Sequence, residues 1–194
     1  MGIIPIYVWN HLPSADNRDG IVPRSEQSVL PEIVEERKLQ FQRLTDLDPY
    51  FIERFLRLCR LFRAVYCPST ARHIESAALI CELLNLPRPV PDPRLNAIDY
   101  GKFKGKPLAE MGAPHEYVDK PYPGGESWLQ CRSRWESFFQ DALQTHDGRP
   151  VLLAGQTRAG IRMCAHLCEG MNLGDAVDLD VNDPTVSWVY FYRL

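Results

Sequence analysis

The sequence predicts an α/β class fold, a three-layer α/β/α sandwich around a mostly parallel central sheet, and three observations predict it. Short apolar runs (IIPIYVW, RAVYC, PVLLA and Val186 to Tyr192) have the length and composition of strands. Segments of helical periodicity lie between them. Strands that alternate with helices imply crossover connections, which bring successive strands parallel. With 194 residues, 45% of them hydrophobic and 24% charged, the chain supports one core, so residues 1–194 form a single domain in this reading.

Taken in order, Ile3 to Trp9 is apolar on both faces, as expected of a central strand covered on each side. Leu12 to Pro31 holds prolines, a DG pair and many polar residues and reads as a long loop. Helical periodicity covers Pro31 to Leu44 and Pro49 to Phe62, the second with Phe51, Phe55, Leu58 and Phe62 on one face. Arg63 to Cys67 is the next strand, and Pro68, Ser69 and Thr70 open a helix that runs to about Leu84. Prolines 87, 89, 91 and 93 force an extended path to Leu95–Tyr100, followed by the turn GKFKGKP. Ser127 to His146 is an amphipathic helix with Trp128, Cys131, Trp135, Phe138 and Leu143 toward the core. Pro150 to Ala154 is a buried strand, GQTR its exit loop, Ala159 to Met171 its helix, and Val186 to Tyr192 the closing strand.

Composition narrows the partners. A net charge of −3 with scattered basic residues gives no nucleic-acid or membrane surface, and no run approaches the roughly 18 apolar residues of a membrane span. A small molecule is the expected partner, the cytoplasm the expected compartment, and neither a metal nor another cofactor is expected. Cys59, Cys67, Cys81, Cys131, Cys164 and Cys168 form no CxxC pair and read as reduced core thiols. No P-loop, GxSxG or HExxH motif occurs. Ligands of parallel sheets bind beyond the carboxyl ends of the strands. Three exits converge there: Asn10 and His11, Ser69 to Arg72, and Gly155 to Arg158.

These exits resemble the histidine phosphatase superfamily, the phosphoglycerate-mutase-like proteins. That family opens with Arg-His-Gly-Glu-Thr and an Asn; here the string is NHLPSADN, which keeps His11, Ser14 and Asn17 in register and puts Asn10 on the arginine. Its second motif is similar to VYCPSTARHIESA, with Arg72 on the phosphate-binding arginine. LNAIDYGKFKG follows the third, PGGES at 123–127 recurs verbatim, and LLAGQTRAGIR corresponds to the last. The resemblance implies the fold, a nucleophilic His11 and a clamping Arg72. It also implies losses, because Ala97 stands where the acid is expected and Gln156 or Thr157 stands where the second histidine is.

That chemistry needs a neutral imidazole, cationic groups around the phosphoryl oxygens and an acid for the leaving group. With an amide at 10, Leu12 for a glycine and Ala97 for the acid, the pocket is expected to be less positive and more apolar. The expected activity is therefore non-hydrolytic acid/base chemistry on a small, possibly anionic, organic molecule. His11 and Arg72 are the catalytic residues of this reading, and Asn10, Ser14, Asn17, Gln156, Thr157, Arg158 and Glu126 bind the ligand. A residual phosphomonoesterase working through phospho-His11 and a silent binding protein are the alternatives. Several residues also have structural readings: Arg72 paired with Glu75, His73 on a helix surface, Ser14 and Asn17 shaping their loop, and Glu126 complementing a helix N-terminus. Arg158 is a clamp or a surface residue, and Lys102, Lys104 and Lys106 form a solvated turn. His115, His146 and His166 receive no role.

Overall fold

The structure, a computed structural model, describes residues 2–182 and 189–193, without the side chains of Leu44, Phe51 and Phe55. Strands β1 (Ile3–Asn10), β2 (Ala64–Cys67), β3 (Val90–Pro91), β4 (Val151–Gln156) and β5 (Val189–Arg193) form one sheet in the order β3-β2-β4-β1-β5. The pairs β2–β3, β2–β4 and β1–β4 are parallel, and only β5 runs antiparallel, against β1. The helices are α1 (Ala15–Arg18), α2 (Pro31–Leu47), α3 (Pro49–Cys59), α4 (Ala71–Leu83), α5 (Trp128–His146), α6 (Arg158–Glu169) and α7 (Leu173–Asp178). Residues 186–188 of the predicted last strand lie outside the described residues.

The middle of the sheet belongs to β4, not to β1. Every residue of VLLAGQ is buried, as a strand covered on both faces requires, whereas β1 alternates between buried Ile4, Ile6 and Val8 and more open neighbours. One face of the sheet packs Ile6, Val8 and Leu153 against Trp135, Phe138 and Phe139 of α5 and Ile161 and Cys164 of α6. On the other face, Val65, Cys67, Leu152 and Ala154 meet Ala77, Ile80 and Cys81 of α4 and Cys59 of α3. These are the three expected layers. Trp128, Cys131, Trp135, Phe138 and Leu143 of α5 all reach the core, but Leu58 of α3, expected inward, is exposed. The side chains of Phe51 and Phe55 lie outside those described.

All six cysteines carry free thiols, five of them buried. Among the described residues no helix is long and apolar enough to cross a membrane. The segment read as a long loop is pinned down. It contains α1, buries Val22 completely, and exchanges backbone hydrogen bonds with the GKFKGKP turn, Val22 N–H to the Lys106 carbonyl (2.8 Å) and Gly105 N–H to the Val22 carbonyl (2.9 Å).

Candidate active site

The parallel pairing of β1 with β4 fixes where the first histidine stands. Asn10 lies opposite Gln156, and the His11 N–H donates to the Gln156 carbonyl (2.8 Å), so both strand exits open into one chamber of about 790 Å³. Asn10, His11 and Asn17 line it from the β1 side, Arg72 and His73 from α4, Gln156, Thr157, Arg158 and Arg162 from the β4 exit, and Ala97, Tyr100 and Glu126 from the opposite wall. A second cavity of about 400 Å³, mostly apolar and bounded by Trp9, Phe41, Ile52 and Leu83, shares Asn10, His11 and Pro13 with it. It lacks the titratable cluster of the first.

The imidazole of His11 is held in one tautomer. Its Nδ1 lies 2.6 Å from the carbonyl oxygen of Leu12, which can only accept, so the proton sits on Nδ1 and the Nε2 lone pair is bare. Burial, with smaller contributions from Arg72 and Arg158, pushes the pKa of His11 down to about 4 against the opposing pull of the Leu12 carbonyl. The ring is therefore neutral at physiological pH. Ser76, buried on α4, accepts the Leu12 N–H (2.9 Å) and donates to the Arg72 carbonyl (2.6 Å), which ties the His11 loop to that helix.

Three guanidinium groups in the wall have no carboxylate partner among the described residues: Arg72, Arg158 and Arg162. Arg72 is 5% exposed, donates once to the Arg24 carbonyl (2.9 Å) and has no partner for its Nε. The predicted alternative of an Arg72–Glu75 pair is not formed, because Glu75 accepts the Val29 N–H instead (2.8 Å). Arg162 donates to the Leu179 carbonyl (3.2 Å) and lies over Trp128; burial lowers the pKa of both Arg72 and Arg162. Cations without a direct carboxylate partner, two of them largely buried, favour an anionic guest. The expected loss of positive lining is thus offset by Arg158 and Arg162, which join the Arg72 that the motif resemblance gives as the clamp.

The remaining predicted residues divide. Gln156 is fully buried with neither amide atom bonded, and Asn10 has an unpartnered Oδ1, so both leave polar atoms unsatisfied in the chamber wall. Thr157 caps α6, its Oγ1 accepting the Gly160 N–H (3.2 Å), and it lines the chamber with its own O–H still able to donate. Ser14, read from the sequence as ligand-binding, is completely buried and does not line the chamber. Its hydroxyl donates to Asn17 Oδ1 (2.9 Å), in line with the loop-shaping alternative. Asn17 reaches the wall.

Glu126 lines the chamber but is engaged: Arg134 holds it at 2.7 Å and the Asp99 N–H donates to it (2.9 Å). Gly125 explains the PGGES turn, since a Cβ there would fall 2.1 Å from the Asp99 carbonyl. Lys104 pairs with Asp99 at 2.7 Å, so the turn lysines are not all solvated. Arg134 also donates to the carbonyls of Arg94 (2.5 Å) and Ala97 (3.0 Å), holding the far wall.

Two site residues escaped the sequence reading. His73 is not on a helix surface: it is 1% exposed, and its ring meets His11 edge to face, with centroids 4.9 Å apart. Tyr100 lines the chamber three residues after Ala97, its ring packed edge to face on Tyr122 at 5.1 Å. Burial pushes its phenol up to about 12, against the pull of Arg162, Arg158 and Arg72, so it keeps its proton at neutral pH. Among the described residues no cluster of three His, Cys, Asp or Glu side chains is disposed to hold a metal.

Comparison with known proteins decides the family. Residues 52–193 match the model of the histidine phosphatase superfamily (branch 1). The chain belongs to that superfamily. No curated protein sequence matches it. Among solved structures, Bacillus stearothermophilus YhfR superimposes with a TM-score of 0.68 at 16% identity, over 98% of this chain and 91% of that one. Phosphoglycerate mutase from Bacillus anthracis gives a TM-score of 0.66 at 15% identity, covering 99% and 89%. The mycobacterial glucosyl-3-phosphoglycerate phosphatase solved with VO3 gives a TM-score of 0.66 at 15% identity, covering 92% and 87%. At such identities the likeness is one of fold, the phosphoglycerate-mutase-like fold. The family match begins beyond β1, so the place of His11 in this histidine phosphatase fold rests on the strand that carries it and on its pairing with β4.

Proposed function

We propose that the protein is a phosphomonoesterase that works through a phosphoryl group carried on His11. One observation carries this reading: a neutral imidazole with its Nδ1–H fixed on Leu12 shares a chamber with three guanidinium groups, none of them in a direct ion pair with a carboxylate among the described residues. The Nε2 lone pair attacks phosphorus while Arg72, Arg158 and Arg162, with the free amide of Gln156, hold the charge gathering on the phosphoryl oxygens. Glu126 and Asp99 are committed to Arg134 and Lys104, which leaves the Tyr100 hydroxyl to protonate the departing alkoxide. Water then cleaves the P–N bond, returns a proton to Tyr100 and releases phosphate. The solved phosphatase and mutase of the same fold agree with a phosphate ester as guest. The substrate is a small molecule, and the free thiols suit a reducing compartment such as the cytoplasm.

The second reading is non-hydrolytic acid/base chemistry on a small organic anion, in a chamber that has largely lost its phosphohydrolase machinery. Asn10, Ala97 and Gln156, where the family has an arginine, an acid and a histidine, favour it. A protein that only binds such an anion is the third. Labelling with an isotopic phosphate donor, quenched in alkali and then acidified, separates them. The expected result is an acid-labile adduct on His11 that is absent from His11→Ala. Neither adduct nor released phosphate across a panel of phosphomonoesters would reject the phosphatase reading in favour of the other two, which turnover of a small organic anion then separates.

A further inference from the structure

The proposed reaction leaves one titratable side chain of the chamber without a task. His73, in the first turn of α4 and next to Arg72, is 1% exposed, and its Nε2 has no hydrogen-bond partner although it lines the cavity. Buried polar atoms are bonded in the great majority of cases, so an unpartnered ring nitrogen on a residue that lines the cavity is suited to a guest. We infer that His73 supplies the second imidazole of the site, its Nε2–H gripping an oxygen of the phosphoryl group that His11 receives. The inference rests on the phosphoryl-transfer reading. It assigns to the first turn of α4 a role that the family places at the β4 exit, where this chain has Gln156 and Thr157.

The proposed role sets the tautomer, and the neighbour of the ring can support it. Thr70 is the N-cap of α4, yet its hydroxyl accepts no backbone N–H and lies instead against Nδ1 of His73. A hydroxyl can donate to Nδ1 or accept from it; with Thr70 as the donor, the ring proton of His73 stands on Nε2. The ring stands edge to face on His11 with an interplanar angle of 80°, so the two imidazoles flank the same space without stacking. Burial, Arg72 and His11 all disfavour a charge on His73, and a neutral donor beside the nucleophile leaves the His11 lone pair free. A side chain needed only for packing here would be served by phenylalanine, which carries no nitrogen to desolvate.

That contrast defines the experiment. His73→Phe keeps an aromatic ring, while His73→Gln places an amide N–H near the lost Nε2–H. Adduct formation on His11 and affinity for inorganic vanadate are measured for wild type and both variants. The expected result is a loss of about 10²-fold or more in His73→Phe, the scale of a missing oxyanion donor, with at least about tenfold recovered in His73→Gln. Losses under about threefold in His73→Phe, or equal losses in both variants, overturn the inference while leaving the phosphatase reading intact. If His73→Phe does not fold, the ¹⁵N resonance of His73 Nε2 in the wild type decides: a shift on vanadate titration supports the contact, and an unmoved resonance overturns it. A wild-type protein that forms no adduct and binds no vanadate overturns both.

Discussion

The Nδ1–H of His11 donates to the carbonyl oxygen of Leu12, its sequence neighbour, across 2.6 Å. A contact this local means that the chain sets its own nucleophile's tautomer at the β1 exit, with no carboxylate needed to orient the ring.

The pH behaviour follows. With the pKa of His11 near 4, the protonated, non-nucleophilic ring appears only in acid, so kcat/KM should hold as pH falls through 6.5 and drop with an acid limb near 4. Stability responds to the same shift. The unfolded chain binds a proton at His11 below about 6.5 and the folded chain does not until about 4, so stability is fully present above 6.5 and declines as pH falls through that window. His73 acts in the same direction. Denaturant melts between pH 7 and 4 should show a loss of a few kcal/mol, reduced in a His11→Gln variant. A flat profile contradicts the burial of neutral imidazoles.

Removing the clamp should weaken anion binding unequally. Arg72→Ala takes a buried charge from beside His11 and should cost on the order of 10²–10³ in kcat/KM. Arg158 is exposed and exchanges with water, so Arg158→Ala should cost less, about tenfold, mostly in KM and more at low salt. Steady-state kinetics at two ionic strengths check both.

Tyr100→Phe tests the proton donor through the leaving group. An alkyl phosphomonoester needs its oxygen protonated and should slow by roughly 10²-fold, the low end for general acid catalysis, because a donor with pKa about 12 is far from ideal. An aryl ester such as 4-nitrophenyl phosphate, which departs as a stable anion, should change by less than about threefold. Equal effects on the two esters would rule Tyr100 out as the acid.

Gly155 couples the sheet to the site. Its φ of +65° is a left-handed conformation, and a Cβ there would fall 2.4 Å from the His73 carbonyl oxygen. Gly155→Ala should destabilise the protein by about 2–4 kcal/mol and displace the first turn of α4, costing activity even where the variant stays folded. Thermal melts beside kinetics would register both.

The layers were readable because hydrophobic period reports burial directly: all six residues of β4 are buried, and its apolar run says so. The same rule misplaced the sheet's centre, since IIPIYVW is equally apolar although β5 covers its flank and one face stays partly open. Within the site, His11, Arg72 and the β4 exit follow from strand ends. His73 was passed over as a surface residue beside Arg72, yet its spacing to Ser76, Ala77 and Ile80 puts it on the buried stripe of α4, and that signal was present in the sequence. Tyr100 was absorbed into the match of LNAIDYGKFKG with the third motif, and its hydroxyl went unweighed. The engagement of Glu126 by Arg134 depends on partners eight residues apart, and no local pattern announces it.

One guanidinium, that of Arg134, fastens the carbonyls of Arg94 and Ala97 and the carboxylate of Glu126 on the chamber wall away from the strand ends. That wall, which includes Tyr100, is therefore braced independently of the strand exits that carry His11 and Gln156. Substitutions in the 94–126 stretch that spare Tyr100 can thus reshape the wall around a single helix-borne anchor while leaving the imidazole at the β1 exit undisturbed.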